Sequence, residues 1–436
     1  MNPSKVLIRE KDLTTCRDEV KRYANEKKET GFMVLGKIRT NKVYVITKIV
    51  SGGPGTERHN ISFTTDEISN SKILEHERAI DDEVRYLSDF HSHPWPESPN
   101  PSGVDFNQLK RARNLRPWFV IGVFSSIGEM RVFGLGKDES LKEIPLQIIP
   151  DDFDESDLVS RIDKITNNET LQKMRVGILG CGSLGSAVVT GLAGSGIGEY
   201  VLCDMDEFAL VNVIRHTGGI QQIGNPKTSI LSEHIQNHNP LANVLTVNDD
   251  LIKNNELLRS VVESCDLVIA SSGNPELNYH INSICVEINK PVIYGGIYAG
   301  AKSAYVFRVT GKNHPCFDCI FQLTSTAIDQ NTLKRKYGLE DGELKEAQGM
   351  IADISIPGNM MAKMALWLLL GKEFSFNLVR YYDNLKVDRL NVQKRNLCAT
   401  CDYENWLKRE ERKLEEESKT GKIVEKIKNK LGRKRK

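Results

Sequence analysis

The chain has 436 residues, of which 39% are hydrophobic and 27% are charged. This composition is typical of a soluble globular protein, and it excludes collagen, wholesale disorder and a small disulfide-stapled scaffold. The formal net charge of +1 points to neither nucleic acid nor a membrane surface as a partner. The longest apolar run, MALWLLL, spans only residues 364–370, so we expect a cytoplasmic protein whose nine cysteines are thiols or metal ligands.

Residues 1–150 predict an α+β domain. Two apolar runs, residues 31–38 and 43–50, flank a short RTNK segment, which indicates two strands around a turn. A third alternating run, residues 85–90, leads directly into His91, and residues 118–124 and 130–136 predict further antiparallel strands. The Gly- and Pro-rich residues 51–65 are typical of a loop.

Residues 91–105, HSHPWPESPNPSGVD, contain a set of metal-ligand side chains. His91 and His93 are two positions apart on an extended segment, so their side chains point to the same side. With Asp105 they offer three protein ligands, and a fourth position left open for water is typical of a catalytic zinc. Zinc lowers the pKa of such a water, and Ser102 could hydrogen-bond the oxyanion that develops during amide hydrolysis.

The HxHP segment followed by SxxD resembles the motif of the JAB/JAMM metalloproteases. That family takes its catalytic glutamate from an E-x-G segment just before a strand, and residues 29–31 (ETG) fit this description. Over residues 5–140 the resemblance implies zinc ligands at His91, His93 and Asp105, a general acid/base at Glu29 and an oxyanion donor at Ser102. It also implies a cytidine-deaminase-like sheet and cleavage after the C-terminal tail of a ubiquitin-like protein. The alternative is a metal-free structural relative.

The acidic and polar residues 151–160 predict a linker, and residues 161–402 predict a second domain. Apolar, β-branched runs alternate there with helix-like stretches; the runs are residues 175–180, 199–204, 241–247, 266–271 and 291–295. This rhythm predicts a parallel, doubly wound α/β sheet of the Rossmann-like kind.

A glycine-rich segment, GCGSLG at residues 180–185, follows the first of these strands and opens a helix. Its three glycines, Gly180, Gly182 and Gly185, permit a tight turn and close approach of the backbone to phosphates at the positive helix N-terminus. Asp204 ends the next strand, where a carboxylate can bind ribose hydroxyls. Taken alone, this set would also fit a nicotinamide-dependent dehydrogenase.

Polar side chains after Asp204 favour a triphosphate over a dinucleotide. Arg215 and Lys227 could neutralise the charge that develops as pyrophosphate leaves, and Asn212 lies beside them in the sequence. The pattern D-x-D-(x5)-N-x-x-R…G-x-P-K resembles the adenylating family of ThiF, MoeB and the ubiquitin-activating enzymes. Over residues 160–402 this resemblance implies ATP and Mg²⁺, Asp204 at the ribose, the three downstream side chains at the phosphates, and a homodimer through this domain.

Two features depart from that family. Gly273 stands where the family has a Mg²⁺-linked aspartate, which predicts weaker ATP turnover; Asp206 and Glu276 are candidate replacements. The chain also has no cysteine between Cys319 and Cys398, where members that pass a ubiquitin-like protein onward carry their nucleophile. The remaining cysteines of the domain fall in predicted core elements: Cys181, Cys203, Cys265 and Cys285. We therefore expect adenylation without a thioester at the usual place, as in MoeB.

Two CxxC pairs predict a second metal site, formed by Cys316, Cys319, Cys398 and Cys401. Four thiolates in two close pairs suit a closed, tetrahedral structural zinc better than disulfides or redox chemistry in this setting. The position also matches the zinc of the adenylating family. Such an ion would pin the C-terminal part of the domain to its sheet, so its loss should destabilise the domain.

Residues 403–436 predict a charged C-terminal helix or tail. Residues 419–436 carry nine Lys or Arg and one Glu, a local net charge of +8. A solvated helix with a frayed basic end is the plainer interpretation. An arm that binds an acidic partner, nucleic acid or a membrane surface is the alternative.

Together these sites predict a bifunctional enzyme of a ubiquitin-like protein pathway. The N-terminal half is expected to be a zinc-dependent (iso)peptidase at the tail, and the C-terminal half to activate the freed carboxylate as an acyl-adenylate. Such fusions resemble components of bacterial ubiquitin-like pathways, some linked to phage defence, and a ubiquitin-conjugating-type enzyme is then a candidate partner. The alternatives are a peptidase whose second domain only docks the ubiquitin-like protein, and activation of a sulfur carrier for cofactor or cysteine biosynthesis.

Overall fold

A computed structural model describes residues 2–52, 55–59, 63–64, 66–95, 98–162, 168–298, 301, 303–311, 314–321, 349–402, 405 and 407–413. The chain divides into two compact units, Met1–Lys173 with Asn239–Asn243, and Met174–His238 with Val244–Lys436. Residues 407–413 are helical, whereas the basic segment 419–436 lies outside the described residues. Within the part of the chain that the structure describes, no helix is long and apolar enough to cross a membrane.

The first unit is built on a mixed sheet. Its strands are β1 (Lys5–Arg9), β2 (Gly31–Ile38), β3 (Val43–Ser51), β6 (Arg85–Ser92), β7 (Val120–Phe124), β8 (Met130–Leu135), β9 (Leu141–Ile144) and β10 (Leu146–Ile149), in the order β10-β1-β3-β2-β6-β7-β8-β9. Two short strands, β4 (Glu57–Arg58) and β5 (Phe63–Thr64), form a separate ribbon within the predicted loop. The helices are α1 (Glu10–Asn25), α2 (Glu67–Ile80), α3 (Gly103–Leu115), α4 (Glu155–Val159) and α5 (Asn168–Gln172).

The strand pairing in this sheet agrees with the sequence-based prediction for β2 and β3 and differs from it for β7. The two strands predicted around the RTNK turn are confirmed, because β2 and β3 pair antiparallel. The prediction of antiparallel strands is wrong for one edge of β7, which pairs parallel with β6 and antiparallel only with β8. A parallel pair requires a crossover connection, and α3 lies in it. The start of α3 therefore follows the end of β6, where the predicted metal ligands lie.

The core of the first unit explains how α1 forms against the sheet. Leu13, Cys16 and Val20 are buried at helical spacing on one face of α1, in one cluster with the buried aromatic side chains of the strands. Phe32 and Phe90 each meet the Phe124 ring edge-on, at centroid distances of 6.2 and 6.3 Å. Such burial, rather than intrinsic propensity, provides most of the stability of a helix in a protein.

The segment 151–160, predicted to be a linker, contains secondary structure. Helix α4 lies within it, and the Asp154 side chain caps the helix by accepting a hydrogen bond from the Ser156 backbone N–H at 2.8 Å. The acidic composition therefore reflects a capped, exposed helix start within the first unit, and the role of this segment as a linker stays a prediction.

The second unit contains another eight-stranded sheet. Its strands are β11 (Arg175–Leu179), β12 (Glu199–Cys203), β13 (Asn243–Val247), β14 (Leu267–Ala270), β15 (Val292–Ile297), β16 (Ser303–Val309), β17 (Leu378–Tyr382) and β18 (Val387–Leu390), in the order β13-β12-β11-β14-β15-β16-β17-β18. The helices are α6 (Ser183–Ala193), α7 (Lys227–His238), α8 (Asn255–Ser264), α9 (Pro275–Glu287), α10 (Phe317–Phe321) and α11 (Ile351–Leu369).

The predicted parallel sheet is confirmed for β11, β12, β14 and β15, which pair parallel with their neighbours in the order β12-β11-β14-β15. Strand β13 begins at Asn243 rather than at residue 241. The sheet then continues through β16, β17 and β18, all antiparallel, an extension that the alternating rhythm did not reveal.

Helices α6 and α11 approach closely through small side chains. A Cβ added at Gly358 would lie 2.4 Å from the Cβ of Ala187, and one added at Gly191 would lie 2.8 Å from the Cβ of Ala362. Protein interiors do not accommodate such distances, so the approach depends on the missing side chains. Because α6 begins at the glycine-rich segment, this contact also orients the helix at the predicted nucleotide site.

We expect Gly358→Val to lower the free energy of unfolding by about 1–3 kcal/mol, because the added methyl groups would force α11 away from α6. The measurement is chemical and thermal unfolding of the full chain. Gly194→Ala is the control, since a Cβ at Gly194 meets open space at the end of α6, the partner helix. An unchanged unfolding midpoint for Gly358→Val would show that the two helices do not depend on this contact.

Candidate functional site

His91, His93 and Asp105 form a compact cluster of potential metal ligands in the first unit. One ligand atom from each lies within 4.8 Å of the others. The Asp105 carboxylate bridges the two rings, with Oδ1 3.0 Å from the His91 Nε2 and Oδ2 3.2 Å from the His93 Nε2. Two imidazole nitrogens and a carboxylate oxygen, mostly buried and converging on one point, form a donor set that suits zinc.

The start of α3 holds Asp105 in this cluster. Asp105 is the third residue of α3, and Ser102 is the N-cap residue before it. The Ser102 Oγ accepts a hydrogen bond from the Asp105 backbone N–H at 3.3 Å, and the Asp105 Oδ2 accepts one from the Ser102 backbone N–H at 2.5 Å. Burial alone would raise the pKa of Asp105, but hydrogen bonds from His91 and His93 hold it well below its usual range. The cluster therefore contains an ionised carboxylate.

Ser102 has a structural task that the sequence motif did not show. Its hydroxyl oxygen accepts a hydrogen bond as the cap of α3, which leaves the hydroxyl hydrogen to donate elsewhere. The side chain lies at the exposed end of the helix, three residues before Asp105. Its predicted role as an oxyanion donor is compatible with capping and stays a prediction.

Glu29 is brought to the cluster by the pairing of β2 with β6. Gly31 lies opposite His91, and the Ser92 backbone N–H donates to the Thr30 carbonyl at 2.9 Å. Glu29 therefore continues the pairing toward the end of β6 where the ligands lie. Burial raises its pKa, and the two histidines and Asp105 act on it electrostatically. A carboxyl with a raised pKa is suited to taking up and returning a proton near neutral pH.

A partly buried polar network beside Glu29 was not predicted from the sequence. The Glu19 Oε1 accepts hydrogen bonds from the Thr30 hydroxyl at 3.0 Å and from the Arg58 Nη2 at 3.2 Å. The Arg58 Nε donates in turn to the Thr30 Oγ1 at 2.9 Å, and Ser51 donates to the second Glu19 oxygen at 2.6 Å. The residue that follows Glu29 is thus held by side chains far apart in the sequence.

Two of the three glycines of the glycine-rich segment, Gly180 and Gly185, lie where no side chain fits, whereas Gly182 faces open space. Gly180 has a φ of +103°, and a Cβ there would lie 2.4 Å from the Cα of Ser272. A Cβ on Gly185 would lie 2.0 Å from the Gly180 carbonyl oxygen, so no side chain fits between the strand and α6. At Gly182, the N-cap residue of α6, a Cβ would meet open space. This arrangement leaves the helix N-terminus accessible to an anion.

Asp204 and Lys227 are joined through Asp206. The Asp204 Oδ2 accepts a hydrogen bond from the Cys181 backbone N–H at 2.6 Å, and its Oδ1 accepts one from the Asp206 backbone N–H at 2.9 Å. The Asp206 Oδ2 lies 2.7 Å from the Nζ of Lys227, a buried residue at the start of α7. Burial raises the pKa of Asp204, and these hydrogen bonds and the Lys227 charge oppose that rise. The predicted ribose and phosphate ligands therefore share one polar cluster.

Asn212 and Arg215 lie on a short 3-10 helix, Leu210–Arg215. The Asn212 side chain accepts a hydrogen bond from the Ala209 backbone N–H at 2.9 Å and so caps the start of that helix. Arg215 is the last residue of the helix and is partly buried. The next residue, His216, lies with its Nε2 3.0 Å from the Cys181 carbonyl oxygen and connects this helix to the glycine-rich segment.

Gly273 adopts a left-handed conformation, with a φ of +67°, and a Cβ there would meet open space. Its neighbour Ser272 packs against Gly180, so the turn adjoins the glycine-rich segment but presents no carboxylate at this position. Of the two candidate replacements, Asp206 lies in the cluster with Lys227. Glu276 lies exposed in the first turn of α9.

The four cysteines of the CxxC pairs form a buried cluster. Cys316 and Cys319 flank the start of α10, and Cys398 and Cys401 follow β18. The sulfur atoms lie 3.9 Å apart in Cys316–Cys319, 3.6 Å apart in Cys316–Cys398 and 3.4 Å apart in Cys319–Cys401. Four thiolates about 2.3 Å from one tetrahedral zinc lie about 3.8 Å apart, so the cluster fits the predicted ion.

The other cysteines of the second unit pack in its core, as predicted. Cys181, Cys203, Cys265 and Cys285 are all buried. Burial raises the pKa of each thiol, to about 11 for Cys265. A thiol that stays protonated is a poor nucleophile, so these positions do not favour thioester formation.

We expect Cys401→Ser to lower the zinc content of the purified chain by about one ion and to lower the unfolding temperature of the second unit, because the ion joins two distant segments. Metal analysis and calorimetry measure both effects. Cys16→Ala is the control, since this buried thiol lies in α1 of the first unit. Unchanged zinc content in Cys401→Ser would contradict the assignment of this cluster.

Comparisons with known proteins identify a family for the C-terminal part of the chain, which includes the second unit. The model of the ThiF family matches residues 154–402, which contain the glycine-rich segment and all four clustered cysteines. A sulfur carrier protein adenylyltransferase of Thermus thermophilus is 27% identical over 246 residues, 54% of this chain and 85% of the relative. A molybdopterin-synthase adenylyltransferase of Salmonella typhimurium is 27% identical over 218 residues, 49% of this chain and 80% of the relative.

A ubiquitin-like modifier-activating enzyme 5 of Dictyostelium discoideum is also 27% identical, over 207 residues. The alignment covers 45% of this chain but only 54% of that relative. The family match begins after the cluster of His91, His93 and Asp105. The candidate metal site of the first unit is therefore supported by its geometry and not by this match.

Proposed function

Because this chain belongs to the ThiF family, we propose that its second unit adenylates the C-terminal carboxylate of a ubiquitin-like or sulfur-carrier-like protein with ATP. The observation that carries the proposal is the convergence of the glycine-rich segment, Asp204 and Lys227 in one polar cluster. Relatives named as adenylyltransferases of sulfur carriers and as a ubiquitin-like modifier-activating enzyme support this substrate class.

In this proposal, backbone groups and three side chains of the second unit bind the phosphates and the ribose of ATP. The open backbone at Gly182 and the N-terminus of α6 accept phosphate oxygens. The Asp204 carboxylate can accept a further hydrogen bond from a ribose hydroxyl, because the bonds from the Cys181 and Asp206 N–H groups use only part of its acceptor capacity. Arg215 and Lys227 stabilise the negative charge of the phosphates, with Lys227 exchanging Asp206 for a phosphate oxygen.

The reaction itself is a transfer of the adenylyl group. An oxygen of the substrate carboxylate attacks the α-phosphorus, the bond from that phosphorus to the bridging oxygen of the β-phosphate breaks, and pyrophosphate leaves. Mg²⁺ supplies charge neutralisation when it is bound with ATP. Because residue 273 has no carboxylate, Asp206 is the Mg²⁺ ligand in our proposal. Binding of Mg²⁺ by Asp206 would break its ion pair with Lys227 and so free Lys227 for the phosphates.

The buried thiols favour a product that stops at the acyl-adenylate. A thioester needs an accessible thiolate, and all nine cysteines of the chain are buried. The activated tail would then pass directly to a sulfur donor, or to a ubiquitin-conjugating-type partner. The proposal includes a homodimer through this unit, as the family resemblance implies.

We also propose that the first unit is a zinc-dependent (iso)peptidase that cleaves after the tail of the same ubiquitin-like protein. The supporting observation is the cluster of His91, His93 and Asp105 with the half-buried Glu29 beside it. Bound zinc would supply a water of lowered pKa and polarise the scissile carbonyl. Glu29 would take the proton from the water and return it to the leaving amine, and Ser102 would donate a hydrogen bond to the developing oxyanion.

The two proposed activities share one chemical group. Cleavage after the tail releases a free C-terminal carboxylate, and adenylation consumes a free C-terminal carboxylate. A docking role for the second unit would instead require binding of the ubiquitin-like protein without ATP turnover. Pyrophosphate exchange distinguishes docking from adenylation.

Lys227→Ala should reduce ATP–pyrophosphate exchange by about 100-fold or more, because a buried cation at the phosphates would be lost. The assay uses the full chain with a ubiquitin-like protein that ends in Gly-Gly. Lys253→Ala, at a side chain that is 85% exposed, is the matched control and should exchange at the wild-type rate. Exchange by Lys227→Ala at the wild-type rate, or no exchange by the wild-type chain, would contradict adenylation at this site.

Gly273→Asp should increase pyrophosphate exchange about threefold to tenfold at limiting Mg²⁺, because it adds a carboxylate beside the glycine-rich segment. The backbone tolerates the change, since a Cβ at this position meets open space and aspartate visits left-handed conformations more readily than most residues. Gly273→Asn has the same shape without the charge and should give no increase. Equal rates for both variants would show that a carboxylate here has no part in Mg²⁺ binding.

Glu29→Gln should lower cleavage of a peptide-extended ubiquitin-like protein by about 100-fold or more while the zinc content stays unchanged, because only the proton acceptor is removed. Glu26→Gln, three residues earlier at an exposed glutamate, is the matched control. Cleavage is measured by mass spectrometry of the released peptide. Full cleavage by Glu29→Gln would rule out its role as the general acid/base.

A further inference from the structure

His216 bonds to the glycine-rich segment although it belongs to neither the ribose nor the phosphate ligands. Its ring is buried, and its Nε2 lies 3.0 Å from the Cys181 carbonyl oxygen. The Nδ1 accepts a hydrogen bond from the Gly218 backbone N–H at 3.0 Å. The Phe208 ring packs beside it, with a centroid distance of 5.0 Å. The imidazole is therefore held on three sides.

These partners determine the tautomer of His216. An amide N–H can only donate, so Nδ1 carries no proton, and a carbonyl oxygen can only accept, so Nε2 carries one. Burial lowers the pKa of His216, which keeps the ring neutral in this form. The Nε2–H group thus donates to the Cys181 carbonyl.

The hydrogen bond to Cys181 has a consequence for the next peptide unit. The Cys181 N–H is already held by Asp204, so both polar backbone atoms of Cys181 have defined partners. The described peptide bonds are trans, and in a planar trans peptide the C=O and the following N–H point in opposite directions. Drawing the Cys181 carbonyl toward His216 therefore turns the Gly182 N–H away from it. Gly182 is the N-cap residue of α6, at which a Cβ would meet open space.

We propose that His216 is a positioning residue that aims the Gly182 N–H at a phosphate of the bound nucleotide. The imidazole does not touch the nucleotide; it acts through the Cys181–Gly182 peptide. The inference rests on the proposed binding of ATP at the glycine-rich segment and adds to it a residue outside the ligand set. The same histidine follows Arg215 directly, so one side chain also links that phosphate ligand to the segment.

A neighbouring contact supports this link. The Thr217 backbone N–H donates to the Ser186 Oγ at 2.9 Å, and Ser186 lies in the first turns of α6. The chain after Arg215 is therefore fastened to the carbonyl side of the glycine-rich segment by His216 and to α6 by Thr217. Of these two contacts, only the one from His216 is made to the Cys181–Gly182 peptide.

Two substitutions separate aiming from packing. His216→Gln keeps an amide N–H and a carbonyl oxygen at about the spacing of the two ring nitrogens, so both hydrogen bonds can form again. His216→Phe keeps a ring against Phe208 but removes both hydrogen bonds. His238→Phe, at an exposed histidine near the end of α7, is the control for replacing a histidine with a phenylalanine.

Calorimetry of the full-length variants with ATP, AMP and adenosine gives the decisive readout, with melting temperatures measured in parallel. We expect His216→Phe to weaken ATP and AMP about tenfold and to leave adenosine unchanged, because only phosphate meets the Gly182 N–H. His216→Gln should bind all three within about threefold of the wild type. Amide hydrogen exchange at residues 180–186 should be faster in His216→Phe than in His216→Gln or the wild type.

Three other results would contradict the role of His216. Wild-type ATP affinity in His216→Phe would overturn the proposal, and so would an equal loss of ATP and adenosine, which indicates packing. Failure of the wild-type chain to bind any of the three ligands would overturn it as well. If the wild type binds ATP but does not exchange pyrophosphate, adenylation fails, while the ratio of ATP to adenosine affinity still decides the role of His216.

Discussion

The second unit depends on how closely the end of β11 approaches the start of α6. A side chain at Gly185 would collide with the Gly180 carbonyl oxygen, at 2.0 Å, and one at Gly180 would collide with Ser272, at 2.4 Å, so the helix can start here only because both residues are glycines. Asp204 then holds the Cys181 N–H from the next strand, and His216 holds its carbonyl. Helix α6 is held in addition by its packing on α11, which depends on the absence of side chains at Gly191 and Gly358. The proposed nucleotide site depends on this turn because the backbone, rather than side chains, faces the opening.

In the first unit, the connection between two parallel strands brings the potential metal ligands together. Because β7 pairs parallel with β6, the chain must cross over between them, and α3 begins where β6 ends. The crossover brings Asp105 back to His91 and His93, and the capping hydrogen bonds with Ser102 orient its carboxylate. In each unit, a carboxylate of the candidate site is held by a backbone N–H at the start of a helix: Asp105 by Ser102 before α3, and Asp204 by Cys181 before α6.

The sequence predicts mainly the features that leave a pattern among neighbouring residues. Local alternation predicts the two strands around the RTNK turn and the parallel strands, and the spacing within the HxH and CxxC segments predicts the potential metal ligands, although the two cysteine pairs are far apart in the sequence. The parallel edge of β7 is not predicted, because an alternating run looks the same in either direction of pairing. The Glu19–Arg58–Thr30 network joins three separate segments, and the tasks of Asp206 and His216 become visible only when the glycine-rich segment is folded beside them.

The most direct test of the two linked activities uses one substrate, a ubiquitin-like protein extended by a short peptide beyond its Gly-Gly end. With ATP and Mg²⁺, the wild-type chain should release the peptide first and pyrophosphate afterwards. Glu29→Gln should block both, and supplying the protein with its tail already free should restore pyrophosphate release alone. Pyrophosphate release from the extended protein without cleavage, or no release from the protein with a free tail, would contradict a peptidase and an adenylating enzyme that share one carboxylate.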